Sequence, residues 1–283
     1  DFQGRRIQAS AGIVDDQIIA GLQNVQVSEK DLALIQPEDL PELKGVAFRS
    51  SLSALVRGPL EKPLVDLWAT GSGRVPLGDE PPLRVPRFEV AARWDGRTLS
   101  ARRVYAQSDA GVAALTAQVL GDGRIDGRVL AEVPSIARAL PELQGSASLD
   151  ARLSGAAASP RLVGTVRAYG LEAEGQRVPY AQGRLLADRV GVRVEGLKAA
   201  SGTATLEATL AVRLRDQRLF GKADLTGLFL QNLVPDEVVR GLLDVRDLRL
   251  GGTLRKPIAS GKAVADRLVL GEVFVAQAEG GFT

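Results

Sequence analysis

The residue types that carry most enzyme chemistry are missing from this chain. Its 283 residues contain no Cys, no His and no Met. Thiolate nucleophiles, disulfides, histidine acid–base catalysis, a Ser-His-Asp arrangement and soft metal sites are therefore excluded. We expect no cofactor and no metal ion, and we expect that the protein is not an enzyme.

Carboxylates are the remaining candidates for chemistry. Acidic pairs occur at Asp15-Asp16 and Asp79-Glu80, and Asp122 precedes Asp126 by four residues. None of them has the alternating oxygen ligands that a calcium-binding loop spaces along its length. A carboxylate pair for glycoside cleavage stays open from the sequence alone, although no pair lies in a distinctive context. Solvated turns are the favoured interpretation.

The composition is that of a folded globular chain, with 45% hydrophobic and 25% charged residues and a net charge of +2. Lys and Arg are interspersed with Asp and Glu, and no basic run of the kind that follows a phosphate backbone occurs. Aromatic residues make up only 4% of the chain, so few rings are available to stack on bases. Nucleic acid is therefore not an expected partner.

The elements that position the side chains are predicted to be β-strands, and the clearest one runs from Thr203 to Arg215. Its residues alternate between apolar and polar types, which is typical of a strand with one apolar and one wet face. Ala211 is the only apolar residue on the wet side. The apolar side consists of Ala204, Leu206, Ala208, Leu210, Val212 and Leu214.

The same alternation predicts three further strands with an apolar face. The residues on these faces are Phe88, Val90, Ala92 and Trp94 in the first, Ala147, Leu149, Ala151 and Leu153 in the second, and Val190, Val192 and Val194 in the third. Asp95-Gly96 and Gly121-Asp-Gly123 predict tight hairpin turns between strands.

A glycine–proline unit recurs at an interval of 97 residues. Gly58, Gly155 and Gly252 are each followed five residues later by a proline, at Pro63, Pro160 and Pro257. We expect each glycine at a turn or bulge at the end of a strand, and each proline in an extended or turn conformation. The repeat limits are 1–44 (partial), 45–144, 145–240 and 241–283 (partial), in one continuous array without independent domains.

Each repeat is expected to hold about eight strands, and the whole chain about two dozen. Short helical interruptions are predicted at Val133 to Leu140 and at Pro235 to Gly241, where proline, acidic residues and glycine mark the ends. So many strands in one chain favour an elongated all-β array. Periodicity does not separate a filled sandwich core from an open apolar groove, so both architectures stay open.

Two segments, Leu140 to Gly170 and Val234 to Gly261, show the same order of features. Leu or Val precedes a proline, an alternating strand follows, then the glycine–proline unit and a second strand. This order resembles the repeats of TamB and the wider AsmA-like family, and the resemblance covers nearly the whole chain. Leu67 departs from it, since Gly164 and Gly261 occupy the equivalent place in the other copies.

The resemblance implies a β-taco, which is a long antiparallel sheet curled into a U-shaped groove. The apolar faces named above would line this groove and carry phospholipid acyl chains through the periplasm, between the inner and outer membranes. It also implies a role in outer-membrane assembly with a partner barrel. The family's membrane anchor and partner-binding domain would lie in parts of the chain not present here, so this would be a middle segment. The alternative is a structural repeat of a surface or adhesive protein with a filled core and no lipid.

Overall fold

The computed structural model describes residues 8–28, 31, 46–77, 80–138, 143–173, 176–232, 239–253, 256–270 and 273–282. The fold is all-β, and the described residues form 17 antiparallel strands. Two short 3-10 turns, Ile136–Arg138 and Leu230–Asn232, lie between strands, and Asp31 is also helical. No described helix is long and apolar enough to cross a membrane.

The strands follow one another along the chain as a meander. Their bounds are β1 Gln8–Val14, β2 Gln17–Ser28, β3 Ala47–Pro59, β4 Leu64–Leu77, β5 Glu80–Trp94, β6 Leu99–Gln107, β7 Val112–Val119, β8 Arg124–Val133, β9 Gln144–Ala156, β10 Ser159–Ala173, β11 Gln176–Ala187, β12 Gly191–Ser201, β13 Ala204–Arg213, β14 Arg218–Phe229, β15 Val239–Thr253, β16 Lys256–Leu270 and β17 Val273–Phe282.

The chain divides into two compact units. Unit 1 comprises residues 1–133 and 152–158, and unit 2 comprises residues 134–151 and 159–283. In unit 1, β1 to β8 pair antiparallel in sequence order. In unit 2, β10 to β17 do the same, and β9 pairs with β10.

Neither unit buries large side chains in the manner of a filled sandwich. The buried hydrophobic residues among those described are six alanines and two valines, and no large side chain is fully buried. A packed sandwich core buries Leu, Ile, Val and Phe almost completely. Ala117 is the buried hydrophobic residue of unit 1, and Ala151, Ala181, Ala204, Ala208, Ala223, Val245 and Val264 are those of unit 2.

The three repeat glycines occupy the same place in their strands. Gly58, Gly155 and Gly252 are the next-to-last residues of β3, β9 and β15, and their φ angles are 108°, 104° and 80°. Glycine adopts such positive φ values without the steric cost of a Cβ atom. The prediction that they mark strand ends is confirmed.

The repeat prolines lie at the start of the next strand. Pro63 precedes the first residue of β4, and Pro160 and Pro257 are the second residues of β10 and β16. The interval between equivalent glycines therefore spans six strands. The prediction of about eight strands per repeat was wrong because the strands are longer than assumed, reaching 15 residues in β5, β10, β15 and β16.

Two predicted turns are present. Asp95 Oδ1 accepts hydrogen bonds from the N–H groups of Arg97 and Thr98, and Gly96 has φ +88°. The Gly121-Asp-Gly123 segment forms the turn between β7 and β8, with Gly123 at φ +77°. The interruption after Val133 contains a 3-10 turn. In the interruption predicted at Pro235 to Gly241, residues 235–238 lie outside the described residues, and the last three residues are not helical because they begin β15. Asp79 of an acidic pair also lies outside the described residues.

Candidate functional site

The candidate site in unit 2 is one face of the sheet from β10 to β14. Paired residues on neighbouring antiparallel strands point to the same side, so the pairing register identifies this apolar face. Its members are Leu162, Gly164, Val166 and Ala168 of β10; Ala181, Gly183, Leu185 and Ala187 of β11; Val192, Val194, Leu197 and Ala199 of β12; Ala204, Leu206, Ala208, Leu210 and Val212 of β13; and Leu219, Gly221, Ala223 and Leu225 of β14. Each of these is Gly, Ala, Val or Leu. Ser201, opposite Ala204 at the end of β12, is a polar residue on the same side, and its hydroxyl donates a hydrogen bond to the Arg177 carbonyl oxygen.

Unit 1 has an apolar face of the same kind. Its members are Leu52, Ala54 and Val56 of β3; Val65, Leu67, Ala69 and Gly71 of β4; Phe88, Val90, Ala92 and Trp94 of β5; Leu99, Ala101, Val104 and Ala106 of β6; Ala113, Leu115, Ala117 and Val119 of β7; and Ile125, Gly127, Val129 and Ala131 of β8. Phe88 and Trp94 are its aromatic members. None of these members is charged.

The two faces of β13 differ in exposure as the alternation predicts. Ala204 and Ala208 are buried, and Leu210 is half-buried. Thr209 and Glu207 on the opposite side are exposed. The apolar side of β13 is therefore the more covered side, and its opposite side is the more exposed one.

Most residues predicted to share an apolar side of a strand lie within a described strand. Phe88, Val90, Ala92 and Trp94 share one side of β5, and the alternation of β9 places Ala147, Leu149, Ala151 and Leu153 together. Ala151 is the most covered residue of its strand, at 2% exposure. Val190 and Leu214, by contrast, lie in turns beyond the ends of β12 and β13 and are 69% and 52% exposed.

β-Bulges keep the face apolar where simple alternation would fail. On β12 the apolar residues step from Val194 to Leu197, and the pairing with β13 shifts between them, with Gly196 at φ +54°. Without this bulge, strict alternation would turn Lys198 toward the apolar side. Leu225 and Leu228 on β14 flank Gly227, at φ +69°, in the same way.

Leu197 and Ala199 are site residues that the sequence analysis missed. The signal was present, because the apolar spacing changes from two to three residues between Val194 and Leu197, and a glycine lies inside the step. A change of spacing around a glycine indicates a bulge and not the end of a strand.

Ion pairs lie on the opposite, polar face. Lys198 Nζ lies 2.8 Å from Glu207 Oε1, and this contact raises the pKa of Lys198. In unit 1, Asp66 accepts hydrogen bonds from Arg93 Nε at 2.6 Å and Nη2 at 3.0 Å, and from Arg57 Nη2 at 3.1 Å. The hydrogen bond from Arg93 is the main reason that the pKa of Asp66 lies below its usual value. The sheet therefore separates charge from apolar surface.

This arrangement is suited to non-directional contacts. The apolar face offers no side-chain hydrogen bond, and among the described residues no group of three or more Asp or Glu side chains is placed to hold a metal ion. The physical capability of the face is to remove apolar ligand surface from water.

Comparison with known proteins gives no relative. No family model matches the chain, and no curated protein or solved structure shows significant similarity to it.

Proposed function

We propose that the apolar face binds the acyl chains of phospholipids and carries them along the sheet, as a segment of a lipid conduit. The observation that supports this most is the combination of an extended apolar face with the lack of any fully buried large side chain among the described residues. Apolar residues from five consecutive strands of unit 2 share that face, and none of the described members is charged. A large unfilled apolar surface usually marks a binding site.

The composition of the face fits a flexible, fluid ligand. Each methylene of an acyl chain gains about 0.8 kcal/mol when it is removed from water, without any demand on orientation. Gly, Ala, Val and Leu provide this contact without polar groups that would fix a ligand in one position. A ligand held in this way can shift along the face without breaking hydrogen bonds, which a conduit requires.

The finer architecture and setting belong to the same proposal. The sheet would form a U-shaped groove in the periplasm, between inner and outer membranes, with the polar face outward. Membrane contacts and a partner barrel in outer-membrane assembly would involve other parts of the protein. These points follow from the resemblance to the TamB and AsmA-like family, and the separation of apolar and charged faces supports them.

A matched pair of substitutions on β13 tests the function. Leu210→Arg places a charge on the apolar face, and Thr209→Arg places the same charge on the exposed side one residue away. An Arg surrounded by hydrocarbon costs roughly 2.5–3.5 kcal/mol. The protein is purified from a membrane-containing host, bound lipid is quantified by mass spectrometry, and the melting temperature of each variant is measured.

The two measurements separate lipid binding from folding. We expect phospholipid in the parent and in Thr209→Arg, and a large loss of lipid from Leu210→Arg with the fold retained, because the face is half-open to water when empty. If the face is instead the core of a structural repeat, Leu210→Arg buries an unpaired charge and unfolds the protein, and no lipid is found in the parent. That result refutes the conduit.

A further inference from the structure

A second apolar feature lies on the polar face of unit 2. The pairing register aligns Val163 of β10 with Leu186 of β11, Leu186 with Arg193 of β12, Arg193 with Ala211 of β13, and Ala211 with Phe220 of β14. We name these five residues the outer row. Ala211, the one apolar residue on the polar side of β13, belongs to this row. Four interstrand spacings make the row about 19 Å long.

The outer row borders an open pocket of about 470 Å³. This volume lies within the range of about 300–1,000 Å³ that is typical of small-molecule sites. The exposed ring of Phe220 lies under the guanidinium of Arg213, with Arg213 Cζ 5.6 Å from the ring centroid. The ring of Phe220, the side chains of Val163 and Leu186 and the methyl group of Ala211 thus form an apolar part of the pocket lining, on a face that is otherwise mostly polar or charged.

Arginines dominate the charge around the pocket. Arg193 is paired with Glu195 at 3.1 Å, and Arg213 with Asp216 at 2.6 Å. Arg161, which also lines the pocket, is exposed, and no carboxylate of the described residues lies within ion-pair distance of its guanidinium. Its charge acts at longer range on Asp188, whose pKa is lowered mainly by backbone hydrogen bonds and further by this arginine. The alternation of Arg161 with Val163 along β10 puts Arg161 on the same face as the outer row.

Asp188 is the acidic residue among those that line the pocket, and its side chain stabilises the turn between β11 and β12. Its Oδ1 accepts hydrogen bonds from the N–H groups of Val190 at 2.8 Å and Gly191 at 3.1 Å. These bonds hold the pKa of Asp188 below its usual value. Arg193 and Arg213 have their own carboxylate partners, so Arg161 is the pocket arginine whose guanidinium has no carboxylate within ion-pair distance among the described residues.

We propose that this pocket binds a single-chain anionic amphiphile, meaning a carboxylate or phosphate joined to an apolar chain. The anionic group of the ligand pairs with Arg161. The ligand's apolar chain lies along the outer row, past Leu186 and Ala211, to Phe220. An Arg guanidinium without an ion partner is suited to either anion, since both match its planar donors. Arg161 and the outer row lie on the polar side of the sheet, while members of the apolar face, Leu162, Ala187, Val192 and Val212, also contribute to the lining of the pocket. Binding here does not depend on the apolar face carrying lipid.

Calorimetric titration of the full chain tests the site with decanoate and decyl phosphate, each below its critical micelle concentration. Decyltrimethylammonium, which carries the same chain with a positive charge, is the control ligand. Ala211→Asp places a carboxylate in the middle of the row, and Thr209→Asp places one on the same face two residues away. Arg161→Gln removes the unpaired cation, and Arg184→Gln removes an exposed arginine of the same face outside the pocket.

We expect Ala211→Asp and Arg161→Gln each to raise the Kd of the anionic ligands about ten-fold or more, while Thr209→Asp and Arg184→Gln stay within about two-fold of the parent. The tighter of the two anionic ligands identifies the headgroup. If Ala211→Asp fails to fold by circular dichroism, the exposed Arg161→Gln decides alone.

Methyl chemical shifts locate the ligand independently. Decanoate should shift the methyl signals of Val163 and Leu186, whether or not it also shifts those of Val194 and Leu210 on the apolar face. The proposal is overturned if the cationic ligand binds as tightly as decanoate, if Arg161→Gln keeps the parental Kd, or if the shifts appear only at Val194 and Leu210. The last result would assign the binding to the apolar face.

Discussion

Gly164→Ala tests the close approach of β9 and β10, which the structure makes without room for a side chain. A Cβ atom built on Gly164 would lie well inside 3.0 Å of the Asp150 carbonyl oxygen and of Ala151 Cα and Cβ. Real Cβ atoms almost never come so near to backbone atoms. The two strands must therefore separate locally, and Ala151, now 2% exposed, must lose part of its cover.

The loss in the free energy of unfolding caused by Gly164→Ala can be estimated from this geometry. Forcing one extra methyl into a tightly packed site costs about 1–3 kcal/mol, and clashes with backbone belong to the upper part of that range. A loss of about 2 kcal/mol lowers the melting temperature of a domain this size by roughly 4–8 °C. Differential scanning calorimetry of the full chain measures this shift directly.

Gly251→Ala is the matched control for Gly164→Ala. Gly251 also lies in a strand, β15, and a Cβ built on it meets nothing within 4 Å. Since alanine restricts the unfolded chain more than glycine, this variant should melt at the parental temperature or slightly above it. If Gly164→Ala melts within about 1–2 °C of Gly251→Ala, a difference too small for a backbone clash, the proposed close approach is wrong.

Two further predictions concern the repeat turn and the buried carboxylate. Gly155→Val should destabilise the protein by about 1–3 kcal/mol, because φ +104° is unfavourable for a β-branched residue, and an unchanged melting temperature would contradict this. Asp66→Asn should cost about 1–2 kcal/mol at pH 7. Because the folded pKa of Asp66 is lowered, its contribution is complete above the usual value of 3.8 and is lost as the pH falls through the folded pKa. Urea unfolding of parent and variant should therefore converge below about pH 4, and a constant difference would refute the ion-pair origin.

Local patterns predicted the strands and their faces where alternation is regular. On β13, the assignment of Leu210 and Thr209 to opposite faces is confirmed, because the strand alternates without a break and side-chain period depends only on neighbouring residues. The positive φ angles of the repeat glycines were also predictable, since glycine before a turn and proline has few other roles.

Features that depend on pairing could not be predicted in this way. The irregularity at Arg267, with φ 53°, involves a residue type that carries no strong signal for a positive φ. The outer row joins residues as far apart as Val163 and Phe220, and only the register of four strand pairs brings them into line. The strand count was overestimated because length was taken from typical values and not from this chain.

Site-specific photocrosslinking in living cells tests most directly whether phospholipids lie on the apolar face. A benzophenone amino acid replaces Leu210 in one variant and Thr209 in the other, and phospholipids are labelled with radioactive phosphate. We expect a labelled lipid adduct at position 210 and little or none at position 209, because only position 210 belongs to the apolar face. Equal labelling at both positions, or crosslinks from 210 to protein alone, would contradict this expectation.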